Sequence, residues 1–380
     1  MSMNRFERPA LIVGIVGIAA SGLGAVVATD QFFRSWMLSS LFWLAIALGA
    51  LPLLMIHHLV GGKWGFAIRR ILEAASRMLP LMAILFIPIL FGIHRLYEWS
   101  HADVVAGDAV LKHKSSYLNV PFFTGRAAFY FLVWIWFGWL LNRWSMEQDR
   151  TGHISILHRL QKLSAAGLVV YALTITFAST DWVMSLEPHW FSTIYGMMFM
   201  VGQVLTTLAF AVAILALLAE TPPISRFLTA ETLNDLGNLL FAFIMLWAYL
   251  SFSQYLIIWS GNLPEEIPWY LRRSSGGWQW IAIALALFHF AVPFFLLLVR
   301  RNKRKLKIVA SIALAVVVMR LLDLMWLVVP AHEAKVHVHW LDAVAMAGIG
   351  GLFLAGFSRQ LRQRSLVPQG DPEFQVERSL

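Results

Sequence analysis

The 380 residues include no cysteine. That absence excludes disulfides, thiol nucleophiles, protein-ligated iron-sulfur clusters and covalently attached haem c in this chain. Charge is scarce too: Asp, Glu, Lys and Arg make up 13% of the residues, against about a quarter in soluble domains. No Walker loop, nucleophile elbow, HExxH pair or dinucleotide-type glycine pattern occurs, so the chain is not equipped for covalent chemistry alone. Any redox centre must be non-covalent or belong to a partner. The formal net charge of +9 is not a nucleic-acid footprint, because the basic residues are interleaved between apolar segments, as topology signals are.

What is abundant is apolar sequence, at 59% of the chain. In hydrocarbon only a helix satisfies its own backbone, and about 20 apolar residues span the bilayer. Ten such runs are present, near 9–28, 36–60, 73–95, 121–142, 163–185, 190–219, 234–260, 277–299, 307–328 and 339–358. They predict an all-α polytopic membrane protein with ten transmembrane helices, an integral membrane domain over 1–358 and a polar tail over 359–380. The first run is expected to span rather than to be a cleaved signal, because its small residues are spread along it. With the N-terminus inside, the 30 Lys and Arg divide as 20 on the cytoplasmic side, from Arg5 to Arg378, seven outside, and three (Arg77, Arg126, Arg320) within helices. That bias predicts both termini to be cytoplasmic. The basic connection 300–307, RRNKRKLK, is a topology anchor with anionic lipid as its other reading. Small residues four apart, Gly17/Ser21, Ala20/Gly24 and Ala347/Gly351/Ala355, predict close helix seams, within the chain or with a partner.

One corner stands out, Thr176 to Gln203, TFASTDWVMSLEPHWFSTIYGMMFMVGQ. It sets Asp181 inside an apolar run, follows it with Glu187, Pro188 and His189, and enters the next run at once. A charge that deep costs roughly 2.5–3.5 kcal/mol on insertion scales, so it should face protein, a partner or water. Sorted by depth, His57, His58, Glu73 and Asp235 lie near the inner face. His94, Arg126, Asp181, Glu187, His189, Arg320, Asp323 and Asp342 lie near the outer face. Only neutral candidates, Gln203, Tyr249 and His289, occupy the middle. Tyr171, Thr174, Asp181 and Ser185 share one helix face, Ser192, Tyr195, Gln203 and Thr206 lie along a broader face that the apolar Phe199 interrupts, and a further stripe joins Asn238, Tyr249 and Ser253. These stripes suit a hydrogen-bonded proton path; the alternative is that they only bond across helices. Arg320 pairs with Asp323 by spacing, Glu73 with Arg77, and Arg126 lies at the depth of Asp181, where a salt bridge would oppose easy proton exchange.

Haem b would need facing histidines at matching depth. His289 has no such partner, and the adjacent His57 and His58 point about 100° apart. His332, His337 and His339 form the one histidine cluster a metal could use, and no metal site is expected there.

Two motifs carry a resemblance: TFASTDWVMSLEPHWFSTIYG and LGNLLFAFIMLWAYLSFSQYLIIWSGNLPEEIPWYLRR. With ten helices and no cysteine, the chain resembles the ActF-type membrane subunits of bacterial alternative complex III, relatives of the NrfD and PsrC quinol-oxidising anchors. The resemblance implies two four-helix bundles flanked by two further helices, in the bacterial inner membrane. It implies a subunit of a quinol:cytochrome c or quinol:oxidase oxidoreductase that holds no redox cofactor of its own. Quinol would be oxidised in an NrfD-like sister subunit; haem c and iron-sulfur clusters would sit in multihaem and monohaem cytochrome c subunits and an iron-sulfur protein, with lipids and a terminal oxidase as further partners. Its implied role is scaffold and proton half-channel. The alternatives are a quinol-oxidising anchor using Asp181, His189 or Tyr195 as proton acceptors, and a secondary transporter, for which no pair of broken helices is evident.

Overall fold

The computed structural model describes residues 4–372 and Phe374. Arg378 lies outside the described residues, as do the side chains of Arg5 and Arg226. The long helices are α1 Asn4–Val27, α2 Thr29–Val60, α3 Lys63–Ser76, α4 Leu79–Phe91, α5 Val120–Thr151, α6 Ile154–Trp182, α7 Tyr195–Leu218, α8 Ala230–Gly261, α9 Trp278–Leu298, α10 Leu306–Val328 and α11 Trp340–Arg362. Among the described residues there is no strand. Nine of these helices are each long and apolar enough to cross a membrane, and α3 with α4, bent by 42°, forms the tenth span. The protein is an all-α polytopic membrane protein.

Local chemistry explains where the helices begin, break and end. The α5 start is set by Asn119, whose side chain accepts from Phe122 N–H at 2.9 Å ahead of Pro121, and that of α8 by the Thr229 hydroxyl. Gly152 and Asn262 close α5 and α8 in left-handed conformation, which glycine and asparagine tolerate best. Span three breaks between Ser76 and Leu79 because Pro80, in the first turn of α4, has no N–H and its ring collides with the carbonyl four residues back. Residues Leu285–Ala291 of α9 widen into a π-helix. Pro293 cannot donate to the His289 carbonyl, so the preceding turn takes a longer-range register.

Packing groups the spans into two bundles. Helices α2, α3/α4, α5 and α6 contact one another in a ring, and α7, α8, α9 and α10 do the same. The two rings share the seam between α2 and α7, the most buried spans. Thr207 Oγ1 lies 3.1 and 3.0 Å from the Ala45 and Ile46 carbonyls there, and Gly49 presses on Gln203 and Thr207. Helices α1 and α11 flank the pair of bundles and pack on each other. The close seam thus lies within the chain: a Cβ on Gly17 would come 2.5 Å from Gly348 Cα, and Gly14 meets the backbone of Gly351 and Leu352; the expected Ala347 is instead exposed, and its neighbour Gly348 takes its place.

The chain beyond Arg362 turns back beneath the first bundle. Asp371 accepts from Arg69 Nη1 at 2.5 Å, and Val367 and Phe374 close over Phe66.

Candidate functional site

At the corner between α6 and α7, Asp181 is wholly buried and held on both oxygens. Arg126 of α5 donates from Nε to Oδ2 at 2.8 Å and from Nη2 to Oδ1 at 2.9 Å, and Tyr130 Oη donates to Oδ2 at 2.8 Å. The Arg126 guanidinium also donates to the Tyr117 carbonyl at 3.0 Å and lies over the Tyr117 and Phe122 rings. A bidentate pair of this kind fixes the geometry of both side chains and leaves neither carboxylate oxygen without a donor.

The rest of the corner clasps the two long loops at this end, 92–119 between α4 and α5 and 262–277 between α8 and α9. Glu187 accepts from Arg272 at 2.9 Å and from Arg273 at 2.7 Å, both on the short helix Ile267–Arg273. Trp190 stacks on Trp269 of that helix at 4.7 Å. On the other side, His189 Nε2 lies 2.6 Å from Asp108 Oδ2, and Lys114 donates to the Pro188 carbonyl at 2.6 Å. That hydrogen bond with His189, with those from Leu111 and Val110 N–H, holds the Asp108 carboxyl below its usual range. Tyr195 is buried against Trp190. Asp181, His189 and Tyr195 therefore sit in three different surroundings: a buried ion pair, an exposed loop tie and an aromatic contact.

A second polar cluster occupies the interior of the α7–α10 bundle. Arg320 is ion-paired with Asp323 on α10 and reaches Thr206 Oγ1 of α7 at 3.3 Å. Gly202 makes room for it, since any Cβ there would strike the guanidinium. Trp247 of α8 lies near Asp323, and its ring lies edge-on to His289 at 4.1 Å. His289 sits in the wide turn of α9, fully buried, with neither ring nitrogen bonded among the described residues. Sorting by depth separates Arg320 and Asp323 from a neutral centre; the fold instead sets the charged pair beside His289. Trp247 escaped the sequence reading, although it falls on the buried α8 stripe Leu236, Leu240, Ile244, Trp247, Leu250 and Gln254.

The expected stripe Asn238, Tyr249, Ser253 is corrected by the structure. Tyr249 is 66% exposed and points away from the bundle. Hydrophobic contrast cannot orient this helix, because a membrane-facing surface is as apolar as a bundle interior. Gln203 lies at the junction of the bundles, where Tyr171 Oη donates to its Oε1 at 2.9 Å. Tyr171, Thr174, Asp181 and Ser185 all face inward.

At the basic end, Glu73 is surrounded by cations. It accepts from Arg69 at 3.0 Å, Arg70 at 2.6 Å, Arg364 at 3.0 Å and Ser145 at 2.6 Å. The expected partner Arg77 does not reach it, because α3 ends at Ser76 and the break turns Arg77 off the shared face. His57 packs against Phe66 at 4.8 Å, and His58 Nδ1 lies 3.2 Å from Ser164 Oγ. Asp235 is half-buried and has no side-chain partner among the described residues. No three His, Asp or Glu side chains among the described residues are placed to hold a metal ion, the cluster of His332, His337 and His339 included.

No family model matches the chain, and no curated protein matches it.

Proposed function

We propose that the chain is an integral subunit of a quinol-oxidising respiratory complex in a bacterial inner membrane, a scaffold that also carries a proton route and holds no redox cofactor of its own. Its partners on this reading are an NrfD-like sister subunit that binds quinol, an iron-sulfur protein and cytochrome c subunits. Support comes from one observation above the others: each bundle encloses its own Arg–Asp pair, and the second adds a buried imidazole whose nitrogens have no partner among the described residues. Buried charge is costly in a membrane, and residues that retain it usually move ions or protons. The two ringed bundles with flanking α1 and α11 are also the arrangement that the resemblance implies.

The two clusters divide the work. Arg126 and Tyr130 fill both oxygens of Asp181, so the first bundle has a clamp. In the second, Arg320 is paired with Asp323, and His289 is an unbonded base near Arg320 among the described residues. A proton carried by His289 would stand as a second cation near Arg320, and a proton on Asp323 would release Arg320 from its pair. Linked protonation of this kind is the coupling a proton relay needs. Tyr171 and Gln203 link the interiors of the two bundles.

The test uses the assembled complex in vesicles. His289→Gln and Asp323→Asn are expected to lower the ratio of protons moved to electrons transferred while quinol oxidation continues. An unchanged ratio in both variants would falsify the proton route and leave the scaffold. Failure of the chain to co-purify with multihaem and iron-sulfur subunits would overturn the respiratory assignment and favour the transporter.

A further inference from the structure

Six of the eight residues 300–307 are cations: Arg300, Arg301, Lys303, Arg304, Lys305 and Lys307. Several basic side chains elsewhere at this end have carboxylates: Arg69 and Arg70 share Glu73, Arg364 joins them, Arg362 pairs with Glu7 and Lys63 with Glu231; Arg143, Arg150, Arg159 and Lys162 have none among the described residues but are spread over two helices. The six cations of the α9–α10 connection have no carboxylate within ion-pair distance among the described residues. Arg300, Arg301, Arg304, Lys305 and Lys307 are exposed.

The connection is also held in shape. Arg300–Lys303 form one helical turn. Asn302 Nδ2 donates to the Leu296 carbonyl at the end of α9, at 2.9 Å. Lys303 alone turns inward, donating to Asn238 Oδ1 at 2.6 Å and lying over the Phe241 ring. A topology anchor needs only charge, and a slack loop would supply it. Here two side chains fix the turn and leave the remaining cations facing outward. Below them, Phe295 and Leu298 of α9, Val299 just after it and Leu314 of α10 form an exposed apolar wall. Only seven residues, 299–305, separate α9 from α10, too few to lift the cations far from the ends of the helices.

We infer that this connection and the wall beneath it form a binding site for anionic phospholipid, the phosphate held by the arginines and lysines and the acyl chains laid along α9 and α10. Guanidinium groups suit phosphate because they donate in parallel pairs, and basic residues at a membrane surface attract anionic lipid additively. The inference is independent of the respiratory reading.

The test measures lipid retained by the full-length protein in detergent micelles, with phosphatidylglycerol, phosphatidylcholine or inorganic phosphate added. The wild type is expected to retain phosphatidylglycerol in preference to phosphatidylcholine. The variant Arg300→Gln/Arg301→Gln/Arg304→Gln/Lys305→Gln is expected to bind phosphatidylglycerol at least about tenfold more weakly, with phosphatidylcholine unchanged. If removing four charges disturbs insertion, the four single variants, each keeping five cations, should show graded losses instead. Equal retention of the two lipids by the wild type, or a preference unaltered in the variants, overturns the assignment. Protection from heat by inorganic phosphate equal to that by phosphatidylglycerol would make this a free-anion site, and loss of a partner subunit with lipid preference intact would make it a protein contact; either outcome sinks the lipid site.

Discussion

Asp181 shows how one neighbour decides what a buried acid does. Alone in an apolar helix its oxygens would lack donors; beside Arg126 and Tyr130 both are hydrogen-bonded. Removing one partner of a buried pair leaves an uncompensated charge, typically costing about 3–5 kcal/mol. Arg126→Leu is therefore expected to lower the melting temperature of the purified protein sharply, and Arg126→Leu/Asp181→Leu to recover most of the loss. A double variant as unstable as the single one would show that the pair does more than neutralise itself. His332 gives a pH prediction. It lies in the turn after α10, where burial, and secondarily the Arg34 cation, hold its pKa down to about 4. The unfolded chain takes up that proton near pH 6.5, so between these values the unfolded state binds more protons and stability falls as the pH falls. Melting curves should shift downward as pH drops from about 6.5 to about 4, and His332→Asn should reduce the shift. An identical pH profile in the variant would rule His332 out as its source.

Among the elements, the flanking pair α1 and α11 depends on glycine. Gly14 and Gly17 meet Gly348 and Gly351 with no room for a side chain. In a membrane such closeness drives association, because lipid already solvates apolar surface and only packing favours contact. Gly17→Leu should part the two helices; overpacking of this kind costs about 1–3 kcal/mol. A lower melting temperature with α1 opened to limited proteolysis is the expected result, and a wild-type digestion pattern would contradict it. The span breaks are equally local. Pro80 ends α3 and takes Arg77 away from Glu73, whose charge then falls to Arg69, Arg70 and Arg364. Pro293 opens the turn that carries His289. The two interruptions do not occupy corresponding positions in the two bundles: one is the second span of its bundle and the other the third. The paired discontinuous helices of a transporter would be matched.

For the whole molecule, the corner and the tail close opposite ends of the double bundle. The corner ties both long loops through Glu187 and His189, and the tail covers Arg69 and Phe66. Truncation after Arg362 removes both Arg364 from Glu73 and Asp371 from Arg69. It should lower thermal stability markedly, read as the melting temperature of the truncated protein, and an unaltered value would mean that these ion pairs contribute nothing net. Much of the fold was legible beforehand. Ten spans, their order and the small-residue seams follow from apolar length and spacing, because a backbone in hydrocarbon has no partner except its own helix. The helices overrun the apolar runs where polar turns continue them, as α5 does to Thr151. The pairing of Arg320 with Asp323 was also readable, since residues three apart share a helix face. The sequence by itself thus determined what forms a helix and which near neighbours meet along it. Only the tertiary structure decided which face of each helix turns inward, sending Tyr249 outward, bringing Trp247 to Asp323 and placing His289 beside Arg320. The physical reason is that lipid and bundle interior are both apolar, so hydrophobic periodicity, which orients helices in water, is weak here and long-range packing has to make the choice.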